Sequence, residues 1–136
     1  MTNEIGFEVK INQPYEEALN RVIAALKDEG FGVLTRIDVK ATLKEKLGED
    51  FRPYMILGAC NPPLAHRALT TDAVVGLMLP CNVTVESTPD DCTMVRIANP
   101  ELMMTIGSLD ENESVRDVAN EARARLERVA RALLED

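Results

Sequence analysis

Positive charge is in short supply in this chain: 15 lysines and arginines face 23 aspartates and glutamates, a formal charge of −8 with a pI near 4.7. That deficit excludes a long basic footprint for nucleic acid and opposes docking on an anionic membrane. Long apolar runs are missing too, so no segment has the length needed to span a bilayer. The opening residues Met1-Thr2-Asn3-Glu4-Ile5 carry neither the basic stretch nor the apolar run of a secretory signal, and a cytoplasmic location is expected. Cysteine is sparse and odd in number, three in 136 residues. A chain of this size does without covalent staples, so free thiols are expected. There is no phosphate loop, and Gly30-Phe31-Gly32 alone is too little for a dinucleotide fingerprint. No Ser-His-Asp arrangement can be nominated. With no linker, low-complexity tract or internal repeat, residues 1–136 read as one domain.

What is present is a core-forming composition, 46% apolar and 28% charged. Residues 5–11 alternate, with Ile5, Phe7, Val9 and Ile11 on one face, as a half-buried strand requires. Asn12-Gln13-Pro14 opens a helix carrying Tyr15, Ala18, Leu19, Val22 and Leu26, and Gly30 stops it. A second strand follows with Phe31, Val33, Thr35 and Ile37 on one side. Asp38 caps a short helix with a Val39, Leu43, Leu47 stripe that ends at Gly48. Residues 54–60 are apolar on both faces, the mark of a central strand. Asn61-Pro62 caps a third helix burying Leu64, Ala65, Ala68 and Leu69.

Leu77 to Glu86 reads as a strand with Leu79, Cys81, Val83 and Val85 on one face. A turn at 87–91 returns the chain as Thr93 to Ala98, with Val95 and Ile97 inward. Asn99-Pro100 caps a short helical turn, and residues 112–135 form the longest helix, with Val115, Val118, Ala119, Ala122, Leu126, Val129 and Leu133 in one stripe. Its five arginines, at 116, 123, 125, 128 and 131, alternate with acids at helix-supporting spacing, so they form a solvated face and not a basic stripe. The expected fold is an α+β two-layer sandwich, a largely antiparallel sheet with helices on one face. The other face is polar at Glu8, Lys10, Arg36, Thr84 and Arg96 but apolar at Leu34, Met78, Met94 and one side of 54–60. Something is expected to cover it: a second copy of the chain, or a folded-over helix.

The candidate site is the segment Gly58-Ala59-Cys60-Asn61-Pro62-Pro63-Leu64-Ala65-His66. It sets a thiol between a central strand and a helix N-terminus, where partial positive charge favours thiolate. Pro62 and Pro63 weaken the position by removing amide donors. Cys81, in Leu79-Pro80-Cys81-Asn82-Val83, lies on a core-facing side, and Pro80 within a strand implies an edge or bulge. If the two Cys-Asn pairs meet, Cys60, Asn61, Cys81 and Asn82 form one small polar pocket. His66, the only histidine, falls on the exposed side of its helix. A zinc site would need it to converge with both cysteines without CxxC spacing. Cys92, beside the turn, reads as an exposed bystander.

These segments have a familiar look. Asp38-Val39-Lys40-Ala41-Thr42-Leu43-Lys44-Glu45-Lys46-Leu47-Gly48, then Phe51-Arg52-Pro53-Tyr54, resemble the front half of a prokaryotic family catalogued as domain of unknown function 302. Leu57-Gly58-Ala59-Cys60-Asn61-Pro62-Pro63-Leu64-Ala65 and Gly76-Leu77-Met78-Leu79-Pro80-Cys81-Asn82-Val83 resemble its two hallmark segments. Asn99-Pro100 departs from the family's Asp-Pro. The resemblance implies a two-layer α+β fold similar to half of a TATA-binding protein, and a homodimer. It implies no activity, cofactor or catalytic residue, and a shared fold does not import DNA binding.

Three functions stay open at this point. The first is a homodimeric, non-enzymatic domain that holds a small ligand or soft metal near Cys60 and Cys81. The second is a thiol enzyme using Cys60 in redox or sulfur-transfer chemistry, though no general base is visible beside either thiol. The third is a structural interaction module with both cysteines in the core.

Overall fold

The computed structural model describes Thr2 and residues 4–134. Alternation in β1 (Gly6–Ile11) turns Phe7, Val9 and Ile11 into the core. The following helix α1 (Tyr15–Asp28) buries Ala18, Leu19, Val22 and Leu26. Pro14 takes its N-cap position without a side-chain hydrogen bond. Gly30 ends it at φ +86°, its N–H donating to Lys27 O while the Phe31 N–H donates to Leu26 O. That reversal delivers Phe31 to the core and starts β2 (Gly32–Asp38). Asp38 caps α2 (Val39–Leu47), accepting from the Ala41 N–H at 2.9 Å.

The chain then runs through β3 (Tyr54–Cys60), α3 (Pro62–Thr71) and a 3-10 turn at Ala73–Met78. β4 (Cys81–Ser87) and β5 (Thr93–Ala98) form a hairpin. Beyond it come the single-turn α4 (Pro100–Met103) and the long α5 (Glu113–Leu134). The five strands make one sheet in the order β1-β5-β4-β3-β2, with every pair antiparallel. The fold is thus α+β, as the sequence patterning led us to expect. The core lies between the inner sheet face and helices α1, α3 and α5. The α5 stripe from Val115 to Leu133 closes it, and Val83, Val85, Leu57 and Leu126 have no solvent exposure. Full burial of such a side chain contributes about 1.5–3 kcal/mol, and conformational entropy offsets most of the total.

Several elements depart from expectation at the sheet margin. Ile5 precedes β1 and is exposed. A register shift between Val33 and Thr35 breaks the alternation of β2, leaving Thr35 and Ile37 in solvent. As an edge strand, β2 has one neighbour and little above it. The α2 stripe buries no residue, and Leu47 is 68% exposed because no second helix covers that margin. Leu69 is exposed as well, and Ala65 only half-buried. Residues 77–80 are not strand: β4 begins at Cys81, and Pro80 stands outside the sheet, so it marks neither an edge nor a bulge of β4.

On the outer face, register aligns Glu8 with Arg96, Arg96 with Thr84, and Glu86 with Tyr54 and Met94. Glu86 is buried there between two guanidiniums, at 2.5 Å from Arg52 Nε and 2.5 Å from Arg96 Nη1. Arg96 Nε also donates to Glu8 at 2.7 Å, and the Arg52 guanidinium lies 4.4 Å from the centre of the Phe51 ring. Tyr54, Ile56 and Met94 are half-buried beside this network, and the buried Thr84 hydroxyl has no hydrogen-bond partner. Met78 is not on this face.

Candidate functional site

Two chain crossings at one end of the sheet build the site. At the first, β3 passes through Asn61 into α3. Asn61 is buried, and its Oδ1 accepts from the Leu64 N–H at 3.3 Å, capping the helix although prolines hold its first two positions. At the second, the 3-10 turn and the cis Leu79-Pro80 peptide lead into β4. Ala59 pairs with Cys81, so Cys60 and Cys81 are neighbours on adjacent strands. Both cysteines are unpaired.

Behind this crossing is a small cavity of about 30 Å³ lined by Cys60, Asn61 and Cys81 against Phe31, Leu64 and Val118. In front is an open cleft of about 230 Å³, lined by Met78, Pro80, Cys81, Asn82, Met103 and Met104 among others. Leu79, Cys81, Pro100 and Met104 line both, and so form the partition between them. The four candidate residues therefore do not make one polar pocket. Asn61 faces the inner cavity, exposed Asn82 lines the outer cleft, and only Cys81 reaches both.

Burial pushes the Cys60 thiol up from its ordinary value. Cys81 is pushed further, to about 11, first by burial and then by Cys60. The lowering expected from a helix N-terminus is thus overridden by desolvation. His66 is exposed and lines a separate groove with Arg67, Thr70 and Asp117, away from both cysteines. Among the described residues, no group of three or more His, Cys, Asp or Glu side chains converges as a metal site. Cys92 is a correction: it is buried, and its Sγ donates to Asn12 Oδ1 at 3.3 Å. The hairpin turn folds back over the end of β1, where Lys10 and Asp90 pair at 2.7 Å.

Met103 and Met104, which the sequence pattern does not single out, line the cleft, and so does Met78, which alternation would set on the outer sheet face. The available signal was Asp72, whose Oδ1 caps the 3-10 turn by accepting from the Val74 N–H at 3.0 Å. An Asp cap followed by Gly76 and Pro80 argues for a turn before β4. The arginines of α5 are all engaged, Arg125 and Arg131 through the pairs that their spacing implied. Arg125 meets Glu121 and Arg131 meets Glu127 at i,i+4, Arg128 and Arg125 reach Glu29, Arg123 reaches Glu127, and Arg116 reaches the Asp110 carbonyl.

No helix among the described residues is long and apolar enough to cross a membrane. Among functionally curated proteins, none matches the sequence. A solved structure does: the crystal structure of uncharacterized conserved protein DUF302 from Bacillus stearothermophilus. It superposes with a TM-score of 0.82 at 29% identity, over 95% of this chain and 98% of that one. The profile of the family described as "Domain of unknown function DUF302" matches residues 7–133. Nearly the whole fold, both sheet crossings included, lies within that match, and the chain belongs to the DUF302 family.

Proposed function

We propose that the chain is a homodimeric, non-enzymatic binding domain of the cytoplasm whose site is the cleft in front of Cys81. The observation that carries this reading is the cleft itself. Its 230 Å³ lie at the end of a central strand, with a single thiol and one exposed amide set among apolar side chains. Pockets for drug-sized ligands begin near ~300 Å³, so the cleft suits a very small ligand or an ion. Enzymatic use of Cys60 has less support, because burial raises both thiols and no base stands beside them.

The dimer reading rests on the outer sheet face. Tyr54, Ile56 and Met94 are half-buried there around the buried Glu86, and the exposed Leu34 and Ile37 side chains extend the apolar surface along edge strand β2. Native mass spectrometry of untagged protein beside Cys60→Ala, Cys81→Ala and Ala98→Leu variants tests both parts. The expected spectrum is a dimer carrying extra mass that Cys81→Ala removes, that Ala98→Leu, on the cleft wall, reduces by filling it, and that Cys60→Ala retains. A bare monomer, identical in all four proteins, would rule the proposal out and favour a structural module.

A further inference from the structure

The side chains around the cleft narrow the ligand further, on the reading that the cleft is the binding site. Of the chain's six methionines, three line it: Met78, Met103 and Met104. With Cys81 they bring four sulfur-bearing side chains to the wall of one small cleft built from three separate segments, the 3-10 turn, the start of β4 and the end of α4. Among the described residues, no aspartate, glutamate, histidine, lysine or arginine lines it. Without carboxylates, the side chains of the wall offer calcium or magnesium only the Asn82 amide oxygen, too little for ions that take six or more oxygen ligands. Without histidine or a second thiol in the wall, the nitrogen and thiolate set of zinc is missing as well.

Thiol and thioether together are the ligands of soft, monovalent d10 metal ions. Charge leads to the same place. One thiolate neutralises one unit of positive charge, so a monovalent ion leaves the apolar cleft neutral, whereas a divalent ion leaves an unpaired charge in it. Met104 is buried and Met78 and Met103 half-buried, so these side chains are packed into the wall and not free in solvent. Unbranched methionine side chains also have the rotamer freedom to close on an ion.

We infer that the cleft binds a monovalent soft metal ion, copper(I), through the Cys81 sulfur and the thioethers of Met78, Met103 and Met104. In binding, the Cys81 S–H bond breaks, its proton leaves to solvent, and a sulfur–copper bond forms; no electron is transferred and copper stays monovalent.

The test is an anaerobic titration of the reduced, full-length protein with copper(I) in competition with the chromophoric chelator bicinchoninate. One ion per chain is expected, along with the near-ultraviolet absorption of a sulfur-to-copper charge transfer. Loss of an outer-shell partner of a metal typically weakens affinity about 10–100-fold. On that scale Cys81→Ala is expected to weaken binding at least ~100-fold, and the Met78→Leu, Met103→Leu, Met104→Leu triple variant at least ~10-fold. The leucines conserve volume, so circular dichroism should show all of these proteins folded. A Cys60→Ala, Cys92→Ala double variant is expected to bind as the parent does. The inference is overturned if the protein removes no copper(I) from the chelator, if the triple leucine variant binds undiminished, or if Cys60 governs binding instead of Cys81. Copper(I) failing while a Cys81-dependent organic mass persists in the native spectra overturns the metal and leaves the cleft reading standing; failure of both overturns both.

Discussion

Glu86 shows how one residue can combine burial with charge. Burial pushes its carboxyl up, but hydrogen bonds from Arg96 and Arg52 outweigh that and hold it below the ordinary glutamate range. A depressed carboxyl contributes stability that is fully present above the unfolded-state value and is lost as pH falls through the folded value. As pH falls below the ordinary glutamate value of about 4.3, thermal midpoints of the parent protein should therefore drop more steeply than those of Glu86→Gln, which cannot titrate. Parallel curves for the two proteins would mean that Glu86 contributes nothing to the pH dependence. The cysteines show the opposite balance at the same scale: with no cation beside them, desolvation wins and their thiols are raised.

At the scale of elements, the sheet crossing depends on Gly58. A Cβ there would lie 2.8 Å from Pro80 Cγ and would also strike the Thr35 hydroxyl. Thr35 sits on an exposed edge strand and can rotate away; the proline ring cannot. Gly58→Val is therefore expected to destabilise the fold by about 1–3 kcal/mol through overpacking and to displace the Pro80 segment that forms a cleft wall. Chemical denaturation would read the first effect. An unchanged midpoint would show that the 79–80 segment yields without cost.

Much at this scale was legible in advance. Strict alternation found β1 and β5, Asn61 and Asp38 announced their helices, and the α5 stripe proved to be the buried one. The Val39, Leu43, Leu47 stripe gave a helix but not its burial, because burial depends on what lies opposite, and nothing in a local pattern records that. Leu77-Met78-Leu79 misled for a related reason: a short apolar run fits a strand or a tight turn equally well. The cleft was invisible because its wall joins residues near 78 to residues near 103, a contact that only the sheet order creates.

For the whole molecule, that sheet order is what matters. β1 is hydrogen-bonded only to β5 within the sheet, and the Glu8–Arg96 pair joins residues 88 positions apart. The β4–β5 hairpin, by contrast, closes through a short turn. Closing the longer loop costs more chain entropy, so it should come later in folding. Refolding kinetics of Val95→Ala and Val9→Ala would check the order. Truncation of Val95 should slow refolding, whereas truncation of Val9 should mainly speed unfolding, and equal φ-values would contradict this. The same pairing bears on synthesis. While the ribosome is still making β5, β1 is already outside the exit tunnel without its hydrogen-bonding partner, and the α5 stripe against which α1 also packs arrives only after most of the protein has been translated. The amino-terminal third is thus the part of the nascent chain most in need of a chaperone.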